Sequence, residues 1–220
     1  GAAPSMLELM DGGTVGMINA YGDFGLPDGA GALLLVQSDA PGQAGVTELQ
    51  SFEAIARAQG ADEVFFSDDP ADSEMLVAAR RAVSPAMEKY VSGLGGGELI
   101  DDVCVPRSRL GEFFARLDEI AARHSVEVST AGHAGDGNMH PSVLFDAQDE
   151  ASVAEAKETF AEIMQLGLDL GGTITGEHGV GYVKKDWLVR ALDAGARALQ
   201  TSIKAAVDPL GILNPGKMLG

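Results

Sequence analysis

Residues 129–146 read STAGHAGDGNMHPSVLFD, and this stretch constrains the fold more than any other part of the chain. Two apolar-leaning arms, 126–131 and 139–145, flank a tip of Gly135-Asp136-Gly137-Asn138. Glycine and Asx residues supply the positive φ angles of a tight turn, so the arms are expected to close as a β-hairpin. With those residues as the loop, Ala134 faces Met139 and His133 faces His140. Directly opposed residues hold their Cβ atoms about 4.5–5.5 Å apart on one face of a sheet. Two imidazoles at that separation can share one divalent metal; they can equally be unrelated, half-exposed strand histidines, and spacing alone leaves both readings open.

Strand-length apolar runs and amphipathic helical stretches alternate along the rest of the chain. A short helical turn is expected over 5–11, where Ser5 and Glu8 have capping-box spacing, and a second short helix over 14–21. A turn at 27–31 leads to 32–38 (ALLLVQS), which reads as a strand buried on both faces. A helix over 45–59, a strand over 63–67 (EVFFS) and a long helix over 71–90 follow, the last broken or kinked at Ser84-Pro85. Beyond a glycine-rich loop at 92–97 the pattern becomes regular. It runs strand 99–105, helix 109–123, the two hairpin arms, helix 150–170 and a short strand 173–175. His124, beside Arg123, reads as a favourable charge at a helix C-terminus. This is the βαββαβ order, so the fold class expected is α+β: a ferredoxin-like, mostly antiparallel sheet with helices on one face. Residues 1–95 form a first half-unit with its long helix, and 96–220 hold the βαββαβ unit, a helix over 194–207 and a tail. The tail segment 208–217 (DPLGILNPGK) carries two prolines and two glycines, and by composition it favours disorder.

A formal net charge of −18 argues against nucleic acid or an anionic membrane surface as partner. Cys104 is the only cysteine, which excludes an intramolecular disulfide. The apolar runs are strand-sized and no signal-peptide pattern occurs, so a cytoplasmic protein is expected. Gly1-Ala2-Ala3-Pro4 is not a natural start, and the chain is expected to be a fragment.

A second polar cluster, Gly176-Glu177-His178-Gly179-Val180-Gly181, follows the last expected strand. Glu177 can complete a set of two histidines and one carboxylate, which leaves coordination positions open for substrate. His178 can act as a general base near neutral pH. Adjacent strand residues point to opposite faces, so both serve one site only if the glycines kink the chain. A glycine turn with two solvated side chains is the competing reading. The order GxxGxG is not the dinucleotide fingerprint, and no P-loop occurs.

GHAGDGNMHP, TGEHGVGYVKK and DPLGILNPGK, in this order, resemble the C-terminal domain of FAD-linked oxidases of the vanillyl-alcohol oxidase superfamily. Within it they are similar to the D-2-hydroxyacid branch of glycolate oxidase flavoprotein subunits, D-lactate dehydrogenases and D-2-hydroxyglutarate dehydrogenases. The likeness runs from Glu8-Leu9-Met10-Asp11 to Leu219. It implies a ferredoxin-like cap over the flavin, with His133, His140 and Glu177 as ligands of zinc or manganese. It implies His178 as the base that takes the substrate hydroxyl proton while hydride passes to FAD. Arg80 matches an arginine that grips the substrate carboxylate, Ser84 shares its helical face if the helix is continuous, and Asn138 matches a polar residue lining the site. Asn214 and Lys217 match a tail that reaches the flavin edge, which makes the tail ordered against the compositional reading. The flavin-binding domain expected upstream is not in the chain, so the chain alone should bind FAD weakly and not catalyse. The partners implied are a small 2-hydroxy monocarboxylate, the N-terminal FAD-binding domain and iron–sulfur or other electron-transfer subunits, through which the protein can sit at an inner membrane. Relatives that take a dicarboxylate place a lysine where this chain has Ile100, so glycolate or D-lactate is the expected substrate. A flavin-independent metal module acting in hydrolysis, and a structural domain with a decayed site, are the alternatives.

Overall fold

The structure is a computed structural model that describes residues 4–219, so the expectation about Gly1 lies outside the described residues. The chain opens on strand β1 (Met6–Asp11), where a helical turn was expected. In MLELMD, Leu7 and Leu9 face one side while Glu8 and Met10 face the other, and pairing on both edges outweighs the local capping-box pattern. Asp11 caps helix α1 (Gly12–Tyr21) by accepting from the Thr14 N–H at 2.8 Å. Among the described residues strand β2 (Ala32–Gln37) pairs only with β1. It is an edge strand with Leu34 50% exposed, not the doubly buried strand its apolar run suggested. Helix α2 (Gln43–Ala58) follows as expected. Residues 63–67 form no ladder with any of the described residues despite their β-rich composition, and Phe65 stands exposed; strand propensity is realised only where a partner offers its edge.

Helices α3 (Pro70–Arg81) and α4 (Val83–Leu94) replace the single long helix. The break falls at Ala82, ahead of Pro85, which sits in the first turn of α4 where its missing N–H costs nothing. α4 runs three residues into the expected loop and ends on Gly95 in the left-handed conformation. The strand expected over 99–105 is two strands, β3 (Gly97–Ile100) and β4 (Val103–Cys104), interrupted by the buried doublet Asp101-Asp102. A short 3-10 turn leads into α5 (Leu110–Ala121). The hairpin is β5 (Glu127–His133) and β6 (Asn138–Phe145), followed by α6 (Glu150–Asp169). His124 turns its ring inward to hydrogen-bond Glu162 of α6 at 3.0 Å instead of serving as a cap charge. The strand expected over 173–175 is reduced to one bridge, Thr173 to Cys104. Helix α7 (Lys185–Ala191) was not anticipated; α8 (Ala194–Val207) was.

The strands form one antiparallel sheet in the order β2-β1-β5-β6-β3, with β4 also on β6. Counting the Thr173 bridge as a fourth position, Thr173, β4, β6 and β5 keep the ferredoxin-like arrangement, and β1 and β2 extend it. Helices α5 and α6 share one face, as expected, and pack Phe113, Leu117, Phe160 and Ile163 against Met139 and Val143. The opposite face also carries apolar side chains, Met10, Ala131 and Leu144, and α1 and α4 cover it with Val15, Ile18 and Met87. The single helical layer expected is therefore completed by a second one, because β5 and β6 are apolar on both sides.

The tail is a run of turns with fixed contacts, as the resemblance implied and composition did not. The Asp208 carboxylate accepts from the Ile212 and Leu213 N–H groups, each at 3.0 Å, and pairs with Lys204. The Met218 N–H donates to the Gly181 carbonyl at 2.7 Å, which clips the tail onto the loop that holds Glu177 and His178. Among the described residues no helix is long and apolar enough to cross a membrane.

Candidate metal and catalytic site

The hairpin register differs from the expectation by two residues: Asn138 pairs with His133, and His140 pairs with Ala131. The loop is Ala134-Gly135-Asp136-Gly137, and the Asp136 and Gly137 N–H groups both donate to the His133 carbonyl at 3.0 Å. Gly137 has φ +79, and a Cβ there would lie 2.1 Å from the Val105 carbonyl oxygen, so only glycine lets the tip pass under β4. A shift by two preserves the face. His133 and His140 are therefore diagonal neighbours on one side, with ring centroids 5.2 Å apart and planes at 85°. That side is the one covered by α1 and α4, at the end where their coverage stops.

Glu177 reaches both histidines, with Oε1 3.0 Å from His133 Nε2 and 3.2 Å from His140 Nε2. Asp102 makes this possible. Its buried carboxylate accepts the Thr175 hydroxyl at 2.6 Å and the N–H groups of Gly176 (2.9 Å), Glu177 (3.1 Å) and His178 (2.8 Å). One carboxylate thus winds residues 175–178 into a turn, so Glu177 and His178 both reach the site although they are adjacent. Gly176 lies on the Asn138 amide so closely that a Cβ would meet it at 2.4 Å. His178 stacks on His140, centroids 4.7 Å apart and planes within 7°.

On the other side of His133, the Glu8 Oε1 lies 2.6 Å from Nδ1, and the Glu8 Oε2 accepts from the Arg80 Nε–H at 2.7 Å. Sequence reading gave Glu8 only a helix-capping role and passed over Asp102. The available signal was a carboxylate inside an apolar strand: MLELM for Glu8, and LIDDVCV for Asp101 and Asp102.

The ligand atoms of His133, His140 and Glu177 all lie within 4.8 Å of one another. Two imidazoles and a carboxylate at that spacing fit a small divalent ion with open positions, so the donor set suits zinc or manganese. Asp102, His140 and His178 form a second group of the same span. The Asp102 oxygens, however, are already occupied by N–H and hydroxyl donors, which makes it a scaffold. Burial disfavours the charged form of His133, yet the hydrogen bonds and charges of Glu8 and Glu177 outweigh it and raise the pKa above the ordinary value. His140 is held below the ordinary value by burial and then by the neighbouring His178 and His133, against the pull of Asp102 and Glu177. Burial pushes Asp101 well up, and it lowers Lys184, which sits 3.8 Å from Asp102.

The remaining expected residues divide. Asn138 is buried beside Gly176 at the site, and its Oδ1 has no hydrogen-bond partner among the described residues. Arg80 is joined to the cluster through Glu8. Ser84 is exposed on α4, across the break from Arg80, so the shared helical face does not exist. The Lys217 ammonium lies 5.2 Å from the Tyr182 ring centroid, and Asn214 takes a left-handed φ of +46 in the turn before it. Both belong to the tail clipped to the 176–181 loop.

A family profile described as FAD linked oxidases, C-terminal domain, matches residues 1–218. The glycolate oxidase subunit GlcD of Bacillus subtilis (strain 168) is 36% identical over 98% of this chain and 45% of that protein. The mitochondrial D-lactate dehydrogenase (cytochrome) of Arabidopsis thaliana is 34% identical over 78% of this chain and 30% of that protein. The chain thus spans less than half the length of these relatives. Among solved structures, p-cresol methylhydroxylase with substrate bound superposes with a TM-score of 0.67 at 14% identity, covering 97% of this chain and 46% of that one. The 4-ethylphenol oxidase of Gulosibacter chungangensis gives 0.63 at 15%, covering 96% and 47%. At such identity these two show the fold alone.

Proposed function

The chain belongs to the family of C-terminal domains of FAD-linked oxidases, and from that membership we propose that it is the substrate-facing, metal-holding cap of an FAD-dependent 2-hydroxyacid oxidoreductase. The substrate class proposed is a small monocarboxylate, glycolate or D-lactate. The names of the relatives, glycolate oxidase and D-lactate dehydrogenase, point the same way.

The observation that carries this reading is the convergence of His133, His140 and Glu177 on one point, with His178 stacked beside it. When bound there, a zinc or manganese ion would supply Lewis-acid polarisation of a hydroxyl oxygen. FAD, held mainly by the longer protein's other part, would supply the two-electron acceptor. The chain's own residues do the rest. Arg80 offers guanidinium N–H groups to the substrate carboxylate, fixing the α-carbon relative to the histidines. His178, exposed and within reach of the same space, takes the hydroxyl proton as general base. Asn138 adds a polar wall. Asn214 and Lys217 extend toward the flavin side. Ile100 supports a monocarboxylate: it pairs with Ser142 and so shares its sheet face with His140.

Two measurements test the proposal. Zinc titration of the chain should lose its binding when His133→Ala and His140→Ala are combined; unchanged binding overturns the ligand set. In the complete polypeptide, kcat/KM should be highest for D-lactate or glycolate. A preference for D-2-hydroxyglutarate overturns the substrate class, and flavin-independent ester or amide hydrolysis overturns the reaction.

A further inference from the structure

We propose that Glu8 is a positioning residue that locks the ligand His133 and the carboxylate-gripping Arg80 into one fixed relation. This rests on the function proposed above and adds to it a residue with no assigned role. Glu8 and His133 are directly opposed across β1 and β5, so the backbone ladder itself sets them side by side. The Glu8 side chain is 9% exposed, and each of its oxygens meets one partner: Oε1 meets His133 Nδ1 at 2.6 Å, and Oε2 meets Arg80 Nε at 2.7 Å.

Each contact fixes a different part of the site. A hydrogen on Nδ1, held by Glu8, leaves the Nε2 lone pair facing Glu177 and the ligand position, and a carboxylate behind a ligating imidazole raises its basicity. On the other side, Glu8 engages Arg80 through Nε, and the guanidinium carries further N–H groups at its two terminal nitrogens for a second carboxylate. Arg80 enters from α3, which belongs to no ladder, so Glu8 ties it to the sheet. Only a carboxylate can accept from both partners at once. A glutamine keeps the shape but presents one oxygen and one NH2, so one of the two partners meets a donor.

The test uses the chain itself. In metal-free protein at alkaline pH, nitrogen NMR of the imidazoles should show His133 as the Nδ1–H tautomer; the Nε2–H tautomer overturns the proposal without any variant. In Glu8→Gln the Nδ1–H population should fall and zinc affinity should drop by about 10- to 100-fold. A folded Glu8→Gln with unchanged tautomer and unchanged zinc affinity overturns it. If the unaltered chain binds no zinc at all, the ligand set fails, and the tautomer still decides the role of Glu8. In the complete polypeptide, Glu8→Gln should also raise the substrate KM through Arg80.

Discussion

His140 and His178 stack face to face, planes within 7° and centroids 4.7 Å apart, although they come from different elements and lie far apart in sequence. The contact places the proposed base against a proposed ligand. Charge on one ring disfavours charge on the other, which is part of why His140 sits below its ordinary pKa, after burial itself. A half-buried His140 held toward its neutral form suits the ligand role proposed for it, and the exposure of His178 suits the proposed role of base.

The two roles separate under mutation. In the complete polypeptide, His178→Ala should lower kcat by about 10²–10⁴-fold, the usual worth of a general base, while zinc or manganese content stays as in the unaltered protein. Turnover and metal content measured on the same sample check this. Metal lost together with activity would make His178 a ligand and remove it as the base.

Asp102 is the anchor of the loop over residues 175–178. It gathers a hydroxyl and three backbone N–H groups from residues 175–178 while fully buried, with Lys184 nearby. Removing one member of such a set strands the others, so Asp102→Ala should cost about 3–5 kcal/mol of stability. Urea unfolding gives the number. Amide exchange should lose protection at Gly176, Glu177 and His178 before it does so in the β5–β6 hairpin. Uniform loss across the sheet would make Asp102 a general core residue instead.

The pattern of the sequence showed which parts fold by local rules. The hairpin, α5 and α6 announce themselves through turn chemistry and a 3.6-residue stripe, whereas spacing left the His133, His140 and Glu177 set open and the family resemblance implied it. β1 did not, because the Ser5 and Glu8 spacing suits a helix start and only pairing on both edges makes it a strand. The register was off by two because the close approach of Gly137 to Val105, a tertiary contact, decides which residues form the tip. Glu8 and Asp102 act through partners more than 70 residues away, so nothing near them in sequence marks their role. A charge inside an apolar strand was the one local trace they left.

The proton balance of His133 gives the pH dependence. Burial works against its charge, but Glu8 and Glu177 raise its pKa above the ordinary 6.5. In the metal-free chain this pairing therefore contributes stability that is fully present below the unfolded-state pKa and is lost as pH rises through the higher folded value. Metal binding must expel that proton. Zinc affinity should then climb by about tenfold per pH unit up to the raised pKa and level off above it. His140, whose pKa burial and the neighbouring histidines hold below the ordinary value, gives up its proton at lower pH than His133 does. Calorimetry in buffers of different ionisation enthalpy counts the protons released. A flat affinity between about pH 6 and 8 would show that His133 is not a ligand.

Substrate size is set, on this reading, by Ile100. It closes β3 opposite Ser142, on the sheet face that carries His140, and it is 47% exposed, so its side chain is open to a bound ligand. A dicarboxylate held by Arg80 at one end would bring its distal carboxylate toward this apolar side chain, where losing water without a partner is costly. Ile100→Lys supplies the missing cation on a stem long enough to reach, with little change to the sheet, because the position is half-exposed. In the complete polypeptide the ratio of kcat/KM for D-2-hydroxyglutarate over D-lactate should rise about tenfold or more, which corresponds to roughly 1.4 kcal/mol from one new charge-assisted contact. Steady-state kinetics on both acids, with the unaltered protein alongside, measures it. If the ratio does not move, the distal end of the substrate does not lie over β3, and discrimination belongs to another element, such as Arg81 on α3.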